Sequence, residues 1–169
     1  LHDALPICNY IAEIAHGFNM DVYAYDPFLE NAEIRSNDIY PVDSAEELYQ
    51  KCQYVSLHIP ANEKTQKSIG YDLMKLMPEN AVLVNTARKE IIDEDGLLQM
   101  MQNRNDFHYL SDIAPDCKDT FEAQYEGRFF FTPKKMGAQT AEANINAGIA
   151  AANQIKNFFE NNDTTYKVN

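Results

Sequence analysis

Hydrophobic and polar positions recur along this chain at two periods, and each switch from one to the other marks the passage from helix to strand. Ile11, Ile14, Ala15 and Phe18 fall at helical spacing, and Val22-Tyr23-Ala24-Tyr25 then reads as a short strand stopped by Asp26-Pro27. Ser44-Ala45-Glu46-Glu47 has the form of a capping box, in which serine and glutamate satisfy orphan amides at a helix start; that helix runs to about Lys51. The run Tyr54 to Ile59 predicts a buried strand ended by Pro60, Tyr71 to Met77 a short helix ended by Pro78, and Ala81 to Val84 another buried strand. A helix over Asp93 to Asn103, opened by acids that complement its dipole, precedes strands at Phe107 to Ile113 and Arg128 to Phe131. Last comes a long helix, about Thr140 to Glu160, with Ile145, Ile149, Ala152, Ile155 and Phe159 along one face.

Strands alternating with helices of these lengths imply an α/β fold, a doubly wound parallel sheet covered on both faces. No internal repeat or linker divides the 169 residues, and at 45% hydrophobic the chain can bury one domain core. Charge narrows the partners: a net charge of −12 repels phosphate backbones and anionic lipid surfaces, so neither nucleic acid nor membrane is expected. No run approaches the roughly 18 apolar residues of a membrane span, and no signal-peptide pattern opens the chain. A soluble, cytoplasmic protein is expected. Cys8, Cys52 and Cys117 are odd in number and unpaired in spacing, which indicates neither disulfides nor a metal site.

In an open parallel sheet, ligands sit beyond the carboxyl ends of the strands, so the polar residues after each strand are the candidates. Asp26 stands where a dinucleotide-binding fold places an acid against the adenosine ribose, a choice that favours NAD over NADP; Asp26-Pro27 is equally readable as a turn. His58 and Pro60 follow the next strand, although a lone histidine there is more often structural than chemical. Asn85-Thr86-Ala87-Arg88 carries a guanidinium at a strand end, suited to bidentate recognition of a carboxylate or, more blandly, to a surface salt bridge. Asp112 could accept a hydrogen bond from a nicotinamide carboxamide, or cap a turn. Thr132-Pro133-Lys134-Lys135-Met136-Gly137 places two lysines after the last strand, where a proton donor and acceptor would serve; exposed lysine pairs are also common on solvated surfaces.

Taken together, these residues resemble the D-isomer-specific 2-hydroxyacid dehydrogenases, and within them the members that oxidise 3-phosphoglycerate. The resemblance runs from Asn9 to Asn169 and is carried by Tyr25-Asp26-Pro27, Val55 to Pro60, Leu83 to Arg88 with Ile92-Asp93-Glu94, Ser111-Asp112, and Thr132-Pro133 with Gly137. It implies NAD as cofactor, with Asp26 on the adenosine ribose, Asn85 and Thr86 along the dinucleotide, Asp112 on the nicotinamide, and His58, Pro60 and Gly137 completing the cofactor site. Arg88 would hold the substrate carboxylate. The activity implied is hydride transfer between NAD and a small 2-hydroxyacid, 3-phosphoglycerate to 3-phosphohydroxypyruvate in serine biosynthesis, by a protein that is a homodimer at full length. Glycerate or lactate as substrate, or a non-catalytic NAD-sensing protein, are the alternatives.

Three departures qualify that resemblance. Lysine replaces the family's catalytic histidine, and spacing from Pro133 selects Lys134 whereas spacing from Gly137 selects Lys135. An ordinary lysine pKa near 10.4 must be lowered, by burial or a cation such as Arg88, for base chemistry at neutral pH. Where the family carries the glutamate that orients the histidine, this chain reads Ile113-Ala114-Pro115-Asp116-Cys117, with Asp116 the nearest acid. The third departure lies before the first helix: Asp3, Leu5 and Cys8 occupy the places of the glycines in Gly-x-Gly-x-x-Gly. Side chains there would block the approach of backbone to pyrophosphate.

Residues 1–8 are therefore expected to be non-native sequence, 9–161 an incomplete NAD-binding domain and 162–169 a tail. The upstream substrate domain and the central strand of the sheet would be missing, leaving this chain inactive alone. Its end resembles that of short family members, so no regulatory domain is expected to follow.

Overall fold

The structure, a computed structural model, describes residues 5–133, 141–165 and 167. The chain divides into two compact units, residues 1–133 and 134–169. In the first, helix α1 (Leu5–Gly17) leads into strand β1 (Tyr23–Ala24), helix α2 (Asn31–Arg35), strand β2 (Tyr40–Pro41) and helix α3 (Ala45–Lys51). Strand β3 (Tyr54–Leu57), helix α4 (Tyr71–Met74), strand β4 (Val82–Asn85), a 3-10 turn at Lys89–Ile91 and helix α5 (Glu94–Asn103) follow. Strand β5 (His108–Ser111), helix α6 (Lys118–Gln124) and strand β6 (Phe129–Phe131) complete the unit, and the second holds helix α7 (Ala141–Asn161).

Every described strand pair is parallel, as the alternation of elements predicts. The strands form two sheets, β1-β2 and β3-β4-β5-β6, and no described strand joins them. In the order 3-2-1-4-5-6 of a dinucleotide-binding sheet, β2 and β1 correspond to the first two positions and β3 to the fourth. No described strand takes the third position of that order.

The core lies mainly against the larger sheet. Val55, Leu57, Leu83 and Tyr109 point from alternate strand positions toward Met74, Leu97, Met100, Met101 and Phe121 on the helices. Phe121 packs edge-on to both Phe129 and Phe131 of β6. A satellite core of Ala12, Ile34 and Ile39 sits beneath the smaller sheet. Gly96 lets α5 approach α4 closely: a Cβ there would lie 2.6 Å from the Tyr71 amide nitrogen.

Two local signals coincide at the start of α3. Ser44 caps α3 by accepting the Glu47 amide at 3.1 Å, while the Glu47 carboxylate reaches the Asp43 amide, one residue earlier than the ideal box. Asp93 proves to be the residue before α5 rather than its first turn. Elements α2, β2, α6 and the 3-10 turn carry no apolar spacing of their own; α2 and α6 each bury one side chain, Ile34 and Phe121. On α7 the apolar face does exist, yet Ile145, Ile149, Ile155 and Phe159 are all exposed.

Candidate functional site

The register of the larger sheet sets its strand ends in one row: Leu57 pairs with Asn85, Asn85 with Ser111, and Ser111 with Phe131. His58, Thr86 to Arg88, Asp112 and Thr132-Pro133 therefore leave the same carboxyl edge on neighbouring strands, spaced about 4.8 Å apart. Asp26 follows β1 at the end of the smaller sheet.

Asp26 is half-buried, and its Oδ1 accepts the Phe28 amide at 2.9 Å in a local turn. The turn reading and the binding reading are thus compatible, since the second carboxylate oxygen is left to accept from a ribose hydroxyl. The negative charge of Asp26 adds to burial in raising the Cys8 thiol pKa, so the first turn of α1 lies near this carboxylate.

The His58 ring Nε2 is 2.9 Å from the Ser56 hydroxyl, and burial pushes the imidazole pKa down, which favours its neutral form. The Pro60 carbonyl accepts the Thr65 hydroxyl at 2.6 Å. Asp112 is held through its backbone: its amide donates to the Asn85 carbonyl at 3.3 Å and its carbonyl accepts the Thr132 hydroxyl at 2.7 Å. The main chain beyond β4, β5 and β6 is thereby tied together beneath a half-buried Asp112 carboxylate.

Arg88 precedes the 3-10 turn with extended backbone, φ −145° and ψ 138°. Its guanidinium is exposed, and among the described residues its one hydrogen bond runs from Nη1 to the neighbouring Ala87 carbonyl at 2.8 Å, leaving a fork of N–H groups for an anion. Thr86 is exposed beside it, whereas Asn85 is buried at 1% exposure. The Asn85 side chain faces inward to Arg88, Ala87 and Tyr109.

Asp116 is engaged elsewhere: it accepts from Lys89 Nζ at 2.6 Å, and its own amide donates to Glu94. Glu94 also accepts the Cys117 amide at 2.8 Å, and with burial it pushes the Cys117 thiol pKa up to about 12. Beyond complementing the α5 dipole, Glu94 thus ties down loop partners more than twenty residues away in sequence, where no local pattern reaches. Lys134, Lys135 and Gly137 lie outside the described residues.

As a dinucleotide site this edge fits at both ends and not in the middle. Asp26 presents a carboxylate oxygen beyond β1, and Arg88 and Asp112 present a donor and an acceptor beyond β4 and β5. For the pyrophosphate, the chain has no glycine before Gly17, and Leu5 to Cys8 are already wound into α1. Among the described residues, no group of acids, histidines and cysteines could hold a metal ion, and no helix is long and apolar enough to cross a membrane.

Comparison with known proteins accords with this geometry. Residues 6–123 match the family described as "D-isomer specific 2-hydroxyacid dehydrogenase, NAD binding domain". The D-3-phosphoglycerate dehydrogenase of Methanocaldococcus jannaschii is 30% identical over 86% of this chain and 28% of its own length. The D-lactate dehydrogenase of Lactobacillus delbrueckii subsp. bulgaricus is also 30% identical, over 70% of this chain and 35% of its own. Among solved structures, NAD+-bound 3-phosphoglycerate dehydrogenase of Entamoeba histolytica is 46% identical with a TM-score of 0.80, covering 95% of this chain and 50% of that one. The chain thus spans half or less of the length of these relatives.

Proposed function

The chain belongs to the D-isomer-specific 2-hydroxyacid dehydrogenases through their NAD-binding domain, and on that premise we propose that the polypeptide carrying it transfers a hydride between NAD and a 2-hydroxyacid. The substrate we assign is 3-phosphoglycerate, oxidised to 3-phosphohydroxypyruvate. The observation that carries the reading is the exposed Arg88 fork, set at the carboxyl edge one strand from Asp112. The choice of substrate is supported by the 46% identity to the Entamoeba phosphoglycerate dehydrogenase.

NAD, when bound, supplies the hydride acceptor. Asp26 would hold its adenosine ribose and Asp112 its carboxamide, with His58, Pro60, Thr86 and Gly137 along its length. Arg88 would bind the substrate carboxylate through two parallel N–H bonds and thereby fix the 2-carbon. Lys134 or Lys135, as the neutral amine, would take the proton from the 2-hydroxyl as the C–H electron pair departs as hydride, and would return it in the reverse direction. Asp116, paired to Lys89, takes no part in this scheme.

The remainder of the site, the pyrophosphate cradle and a substrate domain, is assigned to a longer polypeptide, within which residues 9–161 are the NAD-binding part. The same reading places the protein in serine biosynthesis, in the cytoplasm, as a homodimer.

The test is to supply the full-length polypeptide with NAD and with phosphoglycerate, glycerate or lactate in turn, and to follow NADH. Phosphoglycerate is expected to give a kcat/KM at least about tenfold above the others, a discrimination of the size one charged contact provides. A preference for lactate or glycerate overturns the substrate; NAD binding without NADH from any of them overturns the enzyme.

A further inference from the structure

We propose that Asn85 is a positioning residue for Arg88, a buried amide that clamps the turn from which the guanidinium projects, and not a ligand of the cofactor. This deepens the function proposed above and rests on it for the role of Arg88.

The geometry engages both ends of the amide. Asn85 Nδ2 donates to the Arg88 carbonyl at 2.9 Å and more weakly to the Tyr109 hydroxyl at 3.4 Å, while Oδ1 accepts the Ala87 amide at 3.1 Å. An amide has two donor hydrogens and one acceptor oxygen, and here each has a protein partner. At 1% exposure the side chain has no face to offer a dinucleotide. Its position along the strand is fixed as well, because Asn85 is the last residue of β4 and pairs with Leu57 on one side and Ser111 on the other. The clamp therefore transmits the register of the sheet directly to Ala87 and Arg88.

A second tie holds the same turn from outside, the Lys89 to Asp116 ion pair, but Asp116 is 80% exposed. Exposed pairs contribute little, whereas a buried amide left without partners is costly. The two ties should therefore differ sharply in effect.

The experiment compares Asn85→Ala, Asn85→Asp, Lys89→Ala and Leu83→Ala in the full-length polypeptide, reading hydroxyacid KM, kcat, NADH affinity, melting temperature and hydrogen exchange at the Ala87 amide. Asn85→Ala is expected to raise KM about tenfold and to lower kcat, with NADH affinity in the binary complex unchanged and Ala87 exchange accelerated at least about tenfold. Lys89→Ala should change KM less than about twofold. Leu83→Ala, which opens a core cavity, should lower the melting temperature without the KM effect.

Asn85→Asp supplies a readout that mere loss of packing would not move. Protonated, the introduced carboxyl can still donate to the Arg88 carbonyl and accept from Ala87. Ionised, it is an acceptor only and faces the Arg88 carbonyl oxygen. Its KM should approach the wild-type value at low pH and climb as pH rises, while that of Asn85→Ala stays high throughout. Weakened NADH binding in either Asn85 variant, or an Asn85→Asp KM that tracks wild type at every pH, overturns the proposal. If the wild type oxidises no hydroxyacid, the function reading falls by itself; the clamp is then judged on Ala87 exchange, and equal exchange in wild type and Asn85→Ala overturns it.

Discussion

The guanidinium of Arg88 and the thiol of Cys117 lie on two neighbouring loops and are prepared for opposite fates. Arg88 is exposed, its guanidinium bonded to the neighbouring Ala87 carbonyl, so its substitution should act on substrate and not on fold. Arg88→Lys in the full-length polypeptide, which keeps the charge and removes the fork, is expected to lower kcat/KM for the hydroxyacid by about 100-fold or more with an unchanged melting temperature. Cys117 is silenced: burial and the Glu94 carboxylate push its thiol up to about 12. Because the folded value lies above the unfolded one near 8.5, the stabilisation tied to the neutral thiol is complete below that pH and is lost as pH rises toward 12. Alkylation at pH 8, followed site by site with mass spectrometry, should be about a thousandfold slower at Cys117 in the native chain than in urea. For the lysines the sign is reversed in use, since catalysis of oxidation needs the neutral amine. Rate should therefore climb with pH, and either Lys134→Ala or Lys135→Ala should abolish turnover; full activity in both variants would remove lysine from the mechanism.

At the scale of elements, two contacts decide how α5 meets α4 and how α5 ends. Gly96→Ala would gain about 1 kcal/mol of helix propensity, but its new Cβ falls 2.6 Å from the Tyr71 amide nitrogen and 3.2 Å from the Gly70 Cα. Backbone cannot yield as a side-chain tip can, so the variant is expected to be less stable by about 1–3 kcal/mol by denaturant titration, despite the propensity gain. The second contact pins the end of α5. Arg104 donates to the carbonyls of Met77 and Pro78 and, through Nε, to Asp106 at 2.8 Å, and Asp106 in turn accepts the Asn80 amide at 2.7 Å. That arrangement holds the Asp106 carboxyl well below the usual carboxylate range. A depressed folded pKa stabilises above the unfolded value near 3.9 and ceases to as pH falls below it. Asp106→Asn should thus cost about 1–2 kcal/mol at pH 7, with the gap to wild type closing as pH drops below 4. The elements themselves were legible where a period of several residues or a cap announced them, as with α3, β4 and α5. The order of strand ends followed, and with it the places of Asp26, Arg88 and Asp112 after their strands. What sequence could not give was depth: Asn85 and Thr86 are adjacent and both polar, and only the pleat of β4 and the packing of Tyr109 bury one and expose the other. The partners of Glu94 and Asp116 escaped for the related reason that they are distant in sequence.

For the whole molecule the governing fact is the division of its strands into β1-β2 and β3-β4-β5-β6. A parallel sheet draws hydrogen bonding and burial from its central strands, and among the described residues no strand pairs with both β1 and β3. On α1 Ile14 is 61% exposed, and Phe18, just beyond the helix end, is 77% exposed. Apolar faces of that extent ordinarily have a partner. The larger sheet has its own continuous core from Tyr49 to Tyr125, whereas β1 and β2 rest on a satellite of three buried residues. Cooperativity should fail along that line. The 169-residue chain alone is expected to bind a hydrophobic dye and to melt broadly, with amides of β1 and β2 exchanging well before those of β4 and β5. A polypeptide that adds a parallel strand between β1 and β3 should convert this to a single sharp transition at higher temperature with the dye signal lost. A sharp, two-state melt of the chain by itself, coincident by fluorescence and circular dichroism, would mean that the smaller sheet and its helix draw their stability from contacts other than a central strand.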